Sequence, residues 1–209
     1  MYMTRMELDR SRRATIAALA SPNKLHGAIE SGFSGDRQRR LWRIDELDGR
    51  CYLLVVSEDA PDLSCAAAQF APAPDCWQTR EYDAFLQRIT VGSRWHFRLS
   101  ANPTISYPRE GEKRGKVCAH VTAEQQKAWL MQRAGKCGFR LKEEDYEVVK
   151  RGVLNFYKGA DRKRVTLGVC EYEGWLEIAD ADLMRETLTK GIGRGKAYGL
   201  GLLTIARRM

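Results

Sequence analysis

Leu41-Trp42-Arg43-Ile44-Asp45-Glu46-Leu47-Asp48-Gly49-Arg50-Cys51-Tyr52-Leu53-Leu54-Val55-Val56-Ser57 holds two apolar-rich runs separated by Asp48-Gly49. Aliphatic and β-branched runs joined by Asp-Gly describe a hairpin, because a type I′ turn needs positive φ at both central residues and these two types reach it readily. Strands are therefore expected at 41–47 and 51–57. Working outward, residues 1–8 alternate like a strand, and 11–33 read as helix in two pieces broken at Ser21-Pro22. Ser21 suits an N-cap, Pro22 the first helical position and Gly32 the close of the second piece. On the other side, 62–70 suits a short helix, 71–75 a Pro/Ala spacer and 82–89 a strand. The order is β-α-β-β-α-β, the split βαβ plan of ferredoxin-like domains.

The plan then restarts. Residues 95–99 alternate as a strand, 122–133 form a helix capped by Thr122, and 148–157 with 165–178 give strands around a basic turn. A helix at 180–189 and a strand at 202–205 complete the series. The expected architecture is α+β, with tandem ferredoxin-like (RRM-like) domains at 1–90 and 94–209. It rests on element order, since no residue-level repeat links the halves. Residues 102–116, with two prolines and Arg109, Lys113, Arg114 and Lys116, read as a mobile basic loop outside regular structure.

Composition narrows the partner. Of 209 residues, 35 are Lys or Arg and 27 Asp or Glu, and the net charge of +8 favours a nucleic-acid or other anionic partner. Six cysteines form no C-x-x-C pair and the three histidines at 26, 96 and 120 are far apart, so no metal site is signalled. Neither metal nor cofactor is expected, and the cysteines read as buried reduced thiols. No apolar run reaches membrane-spanning length and the first residues lack a signal-peptide core, so a cytoplasmic protein without membrane contact is expected.

The segment Gly191-Ile192-Gly193-Arg194-Gly195-Lys196-Ala197-Tyr198-Gly199-Leu200-Gly201 places five glycines and two cations before the last strand. Such a loop suits backbone N–H contact with phosphates. It is not a dinucleotide fingerprint, because only eight residues follow Gly201, and not a Walker loop, because Lys190 and Ala197 stand where Gly and Ser or Thr are needed. Further cations cluster at Arg37, Arg39, Arg40 and Arg43, and in the turn Lys158-Gly159-Ala160-Asp161-Arg162-Lys163-Arg164. Each cluster alone reads equally as solvated surface, but their joint placement in loops favours a polyanion-binding surface. His26, with Asn23 one turn before it, is a candidate proton-transfer group; the alternative is a partly buried structural histidine. His96 and His120 read as structural.

Two phrases carry a resemblance: Phe97-Arg98-Leu99-Ser100-Ala101-Asn102-Pro103, and Gly191-Ile192-Gly193 leading to Gly199-Leu200-Gly201-Leu202-Leu203. With the Met-Tyr start and His26, they span nearly the whole chain, which resembles the CasE family of CRISPR-associated endoribonucleases of type I-E systems. The resemblance implies tandem ferredoxin-like domains and cleavage of precursor CRISPR RNA at the base of its repeat hairpin. It further implies metal-independent attack by a 2′-hydroxyl, leaving a 2′,3′-cyclic phosphate and a 5′-hydroxyl. His26 matches the family's catalytic histidine, as base or acid. The resemblance assigns the grip on the RNA to the loop after Asn102, with Lys113, Arg114 and Lys116, and to the hairpin with Lys158, Arg162, Lys163 and Arg164; the clustered Arg37, Arg39 and Arg40 and the glycine loop's Arg194 and Lys196 complete the expected RNA contacts. Implied partners are the precursor hairpin, the mature CRISPR RNA and other subunits of the surveillance complex. Some members carry tyrosine where this chain has Asn23, which cannot exchange a proton at neutral pH. A non-catalytic RNA-hairpin-binding subunit is therefore the alternative, with a small-molecule enzyme using the glycine loop a third.

Overall fold

The structure, a computed structural model, describes residues 1–35, 38–108, 111, 115–159 and 163–207. β1 (Tyr2–Leu8), β2 (Leu41–Leu47), β3 (Arg50–Ser57) and β4 (Trp77–Glu81) form an antiparallel sheet in the order β2-β3-β1-β4. Leu47 faces Arg50 across the turn, where Asp48 and Gly49 take φ of 51° and 74°, the positive pair that Asp-Gly predicts. Period-two alternation sends Thr4, Met6 and Leu8 of β1 and Cys51, Leu53 and Val55 of β3 to one buried face. Met6, Leu53 and Val55 share a core with Ala18 of α1 (Arg13–Leu19), Leu25 and Ile29 of α2 (Pro22–Glu30) and Phe70 of α3 (Ser64–Phe70). Each such aliphatic side chain stabilises the fold by about 1.5–3 kcal/mol when fully buried.

The second half repeats the plan. After α4 (Asp83–Leu86) come β5 (Arg94–Ala101), β6 (Thr104–Tyr107), β7 (Lys116–Ala119), α5 (Ala123–Ala134), β8 (Phe139–Arg140), β9 (Tyr146–Lys158), β10 (Lys163–Ile178), α6 (Ala181–Lys190) and β11 (Leu203–Ala206). The sheet order is β11-β5-β10-β8, with β9 also on β10. With β6, β7 and the two-residue β8 set aside, β5-α5-β9-β10-α6-β11 gives the same fourth-first-third-second order as the first sheet, and the fold is α+β with tandem ferredoxin-like units. Local chemistry starts the helices: Thr122 and Gln125 form a reciprocal capping box on α5, and the Asp180 carboxylate accepts from the N–H groups of Asp182 and Leu183.

Two expectations are corrected. Residues 82–89 are not a strand: β4 lies just upstream, and Tyr82, Leu86 and Ile89, spaced by four and three, are buried around α4 and its following turn. That spacing is the helical period, which a short apolar run conceals. Segment 102–116 is not wholly irregular either, because β6 and β7 pair from Thr104↔Ala119 to Tyr107↔Lys116. Its basic residues Arg109, Lys113 and Arg114 lie outside the described residues.

The halves are joined through β2. Leu41 and Val56 belong to the core of the second half, beside Leu202 and Leu203. Arg43, 1% exposed, donates to the carbonyls of Arg98 and Leu202 at 2.8 Å each and to the Thr204 hydroxyl at 2.7 Å. Its remaining donors grip Asp45 at 2.5 and 2.7 Å. Among the described residues, no helix is long and apolar enough to cross a membrane.

Candidate functional site

Pro22, Leu25 and Ile29 bury one stripe of α2. His26 follows Leu25 and sits on the rim of that stripe, with 21% of its side chain exposed. Its Nδ1 is buried 3.9 Å from Oε1 of Glu30, one turn on, so the exposed part of the ring lies away from the carboxylate. The helix starts as Pro22 dictates, but Ser21 does not cap it; its hydroxyl donates instead to the Asn23 side-chain oxygen at 2.7 Å.

Arg40 is a correction. Its guanidinium donates to Glu30 Oε2 at 2.7 Å, lies 3.8 Å from the Phe33 ring centroid and leaves 4% of the side chain exposed. It braces the carboxylate beside His26 and is not presented to a phosphate. Arg43, from the same basic cluster, is the clasp between the sheets. The sequence shows two more arginines; only the tertiary fold supplies the partners that consume them.

The glycine-rich loop is wound more tightly than a phosphate cradle. Its five glycines all take positive φ, and a Cβ on Gly199 would lie 2.7 Å from Cζ3 of Trp42, so only glycine allows the loop to seat on that ring. Much of its N–H inventory is spent internally: Ile192 N–H donates to the Gly201 carbonyl, Tyr198 to Gly195, Gly199 to Lys196, and Gly201 to Ser100. What the loop offers are side chains. Lys196 opens a single 3₁₀ turn, Lys196–Tyr198, that packs against α2 and β2. Burial, then repulsion from Arg39, lowers the Lys196 pKa. Tyr198 packs at a tilt against Phe156, with centroids 4.9 Å apart, and the Lys158 ammonium lies 5.8 Å from its ring centre.

These contacts gather Arg39, Lys158 and Lys196 around the turn that packs against α2, the helix that carries His26. Lys163 faces Lys158 across β9 and β10 and shares its face, whereas Arg164 faces Tyr157 on the opposite one. Arg194 is exposed, its backbone bridged to Asn102, and Lys116 is exposed at the start of β7. The predicted contacts Arg37, Lys113, Arg114 and Arg162 lie outside the described residues.

Pairing separates this surface from the other large concavity. A cleft of about 540 Å³ between the two sheets also carries cations, but each faces a carboxylate: Arg98 meets Glu173 at 2.5 Å, Arg10 meets Glu46 at 2.6 Å, and Lys150 meets Glu171 at 3.5 Å. Arg39, Lys158, Lys196 and Arg194 make no ion pair among the described residues. Unpaired cations attract a polyanion, and paired ones are already neutralised. Among the described residues, no three His, Cys, Asp or Glu side chains converge as a metal site. His96 lies edge-on to Trp175, and the His120 carbonyl accepts from Gln126, both away from this arc.

Comparison with known proteins gives a consistent set of relatives. A family model described as CRISPR associated protein matches residues 1–207. The CRISPR-associated endoribonuclease Cse3 of Thermus thermophilus is 30% identical, covering 99% of this chain and 100% of the relative. The CRISPR system Cascade subunit CasE of Escherichia coli is 27% identical over 75% of this chain and 74% of its own. Thermus thermophilus Cse3 bound to an RNA representing a pre-cleavage complex superposes with a TM-score of 0.81 at 28% identity, covering 99% of this chain and 98% of that one.

Proposed function

The chain belongs to the CRISPR-associated protein family as an endoribonuclease of the CasE kind, and from that premise we propose that it cuts precursor CRISPR RNA at the base of the repeat hairpin. Support for the reading comes from Arg39, Lys196 and Lys158, which make no ion pair among the described residues and gather around the loop turn that packs against α2, the helix where His26 keeps 21% of its side chain exposed.

The reaction needs no external nucleophile. The ribose 2′-oxygen attacks the adjacent phosphorus, its proton passing to a base, and the P–O5′ bond breaks as the 5′-oxygen gains a proton. The products are a 2′,3′-cyclic phosphate and a 5′-hydroxyl. His26 is the proton-transfer group of this step, oriented by Glu30, which Arg40 holds in turn; such help contributes about 10²- to 10⁴-fold in rate. Charge on the pentacoordinate phosphorus is met by Lys196, which is partly buried against α2 and β2, and by Arg39. Asn23, bound to Ser21, orients groups and transfers no proton. Contacts from Arg39, Lys116, Lys158, Lys163, Arg164 and Arg194 hold the stem by its phosphates and A-form shape. The protein then remains on its product as a subunit of the surveillance complex.

Single-turnover cleavage of the host's repeat RNA in EDTA tests the scheme. Wild type should cut, His26→Ala should be slower by about 10²- to 10⁴-fold while still binding, and a 2′-deoxy substitution upstream of the scissile phosphate should abolish cutting. A requirement for divalent metal would exclude the internal nucleophile. Tight binding with no cutting by wild type would favour a purely RNA-holding subunit.

A further inference from the structure

We propose that the pocket beneath the start of the glycine-rich loop is a phosphate subsite for the RNA, formed by the indole N–H of Trp129 and the guanidinium groups of Arg133 and Arg194. The inference rests on the RNA-binding reading above and adds a site that lies apart from His26.

The pocket, about 350 Å³, opens between the β6–β7 hairpin, α5 and the loop, and its described lining contains hydroxyls and cations but no carboxylate. Trp129 is 2% exposed, yet its Nε1 is buried with no acceptor among the described residues. A buried indole N–H ordinarily has a partner, and leaving one unsatisfied is costly. The loop crowds the same edge of the ring: a Cβ on Gly193 would stand 3.0 Å from Cζ2. Glycine there brings the backbone onto the indole edge that carries the N–H.

Arg133 supplies charge. It lies 4.3 Å from the Trp129 ring centre and donates to the Trp129 carbonyl at 3.0 Å, but pairs with no carboxylate among the described residues. Burial lowers its pKa. A guanidinium does not lose its proton in proteins, so an incoming anion is what offsets that desolvation. Arg194 lines the pocket from the loop, held in place by its backbone bridge to Asn102. All three groups donate and none accepts, which suits a phosphodiester oxygen pair.

Cys137 lies within electrostatic reach of both Arg133 and Lys196, and Lys196 within reach of Arg39, so the pocket's arginine and the loop's lysine act on one neighbourhood.

The test is equilibrium binding of the host's repeat RNA, made uncleavable by a 2′-deoxy scissile nucleotide, across a salt series. Arg133→Gln should weaken binding roughly 10-fold and flatten the salt dependence by about 0.7–0.9 of a log unit per log unit of salt. Trp129→Phe, which keeps a ring and loses a neutral donor, should weaken binding with the slope unchanged. A scan of single methylphosphonates should find one phosphate whose neutralisation weakens wild type but not Arg133→Gln. Wild-type affinity and slope in both variants, or no such phosphate, overturns the subsite. If either core variant melts early, exposed Arg194→Gln repeats the scan, and an unchanged phosphate profile there overturns it as well. Failure of wild type to bind repeat RNA would instead remove the parent reading.

Discussion

Burial and the nearby Arg39 guanidinium both lower the Lys196 pKa below the ordinary lysine value of 10.5, so its charge costs the free protein stability at neutral pH. Between the lowered pKa and 10.5 the unfolded chain holds more protons than the folded one, and there stability rises with pH; below that window the cost is fully present. RNA phosphate reverses the balance by giving the ammonium a counter-charge. Lys196→Met, which keeps the aliphatic stem, is expected to melt at or above the wild-type temperature yet bind repeat RNA more weakly, with the salt slope reduced by about 0.7–0.9. A lower melting temperature with unchanged binding would make Lys196 a structural residue. The cysteines give a second residue-scale outcome. Burial pushes the Cys170 thiol up to about 11 and raises Cys51 too, whereas Cys65 is exposed. Native alkylation at pH 8, followed by peptide mapping, should modify Cys65 first and leave Cys51 and Cys170 until unfolding. Early modification of Cys170 would contradict the burial of β10's inner face.

At the scale of elements, the glycine-rich loop is set by what it touches. Gly199 has φ of 79° and no space for a Cβ against Trp42. Gly199→Ala should therefore cost about 1–3 kcal/mol from backbone strain alone and displace Lys196 and Tyr198 with it. Thermal melting and cleavage should fall together; an unaffected melting temperature would show that the loop does not depend on this seat. The same distinction between local and tertiary causes explains what was legible in the sequence. The Asp48-Gly49 hairpin and the Thr122 cap were readable because their determinants lie within a few residues. Residues 82–89 misled through their aromatic and branched composition and short length, although Tyr82, Phe85, Leu86 and Ile89 fall at i, i+3, i+4 and i+7 of a helix. His26 could be singled out as a candidate, but the roles of Arg40 and Arg43 could not, since their carboxylate and carbonyl partners are assembled by the fold. Trp129 and Arg133 gave no signal: an apolar residue and a cation at the end of a helix read as core and surface until the β6–β7 hairpin and Gly193 close over them.

On the scale of the whole molecule, the helix that carries His26 and the cation-bearing loop belong to different halves, so their alignment depends on what fixes one sheet to the other. Arg43 does this with four partners: Asp45 on its own strand, the Arg98 carbonyl on β5, the Leu202 carbonyl just before β11 and the Thr204 hydroxyl within it. Arg43→Met leaves Asp45, 14% exposed, without its counter-charge, takes the guanidinium donor from the Leu202 carbonyl and leaves the Arg98 carbonyl with only the longer Thr204 hydroxyl bond among its side-chain donors. Removing one partner of a buried pair costs about 3–5 kcal/mol. Arg43→Met/Asp45→Leu removes the stranded charge, so it should recover part of that loss and not the remainder, which belongs to the carbonyls. Catalysis should respond differently from stability. Misplacement by about 1 Å costs on the order of 10²-fold in rate, so both variants should cleave slowly at temperatures where both are folded. RNA affinity should fall less, because phosphate contacts on each half tolerate small shifts better than proton transfer does. If the double variant regains stability and full cleavage together, Arg43 contributes only charge balance and the Leu41 and Val56 contacts align the halves; if stability returns without cleavage, its bonds to β5 and β11 hold the active geometry.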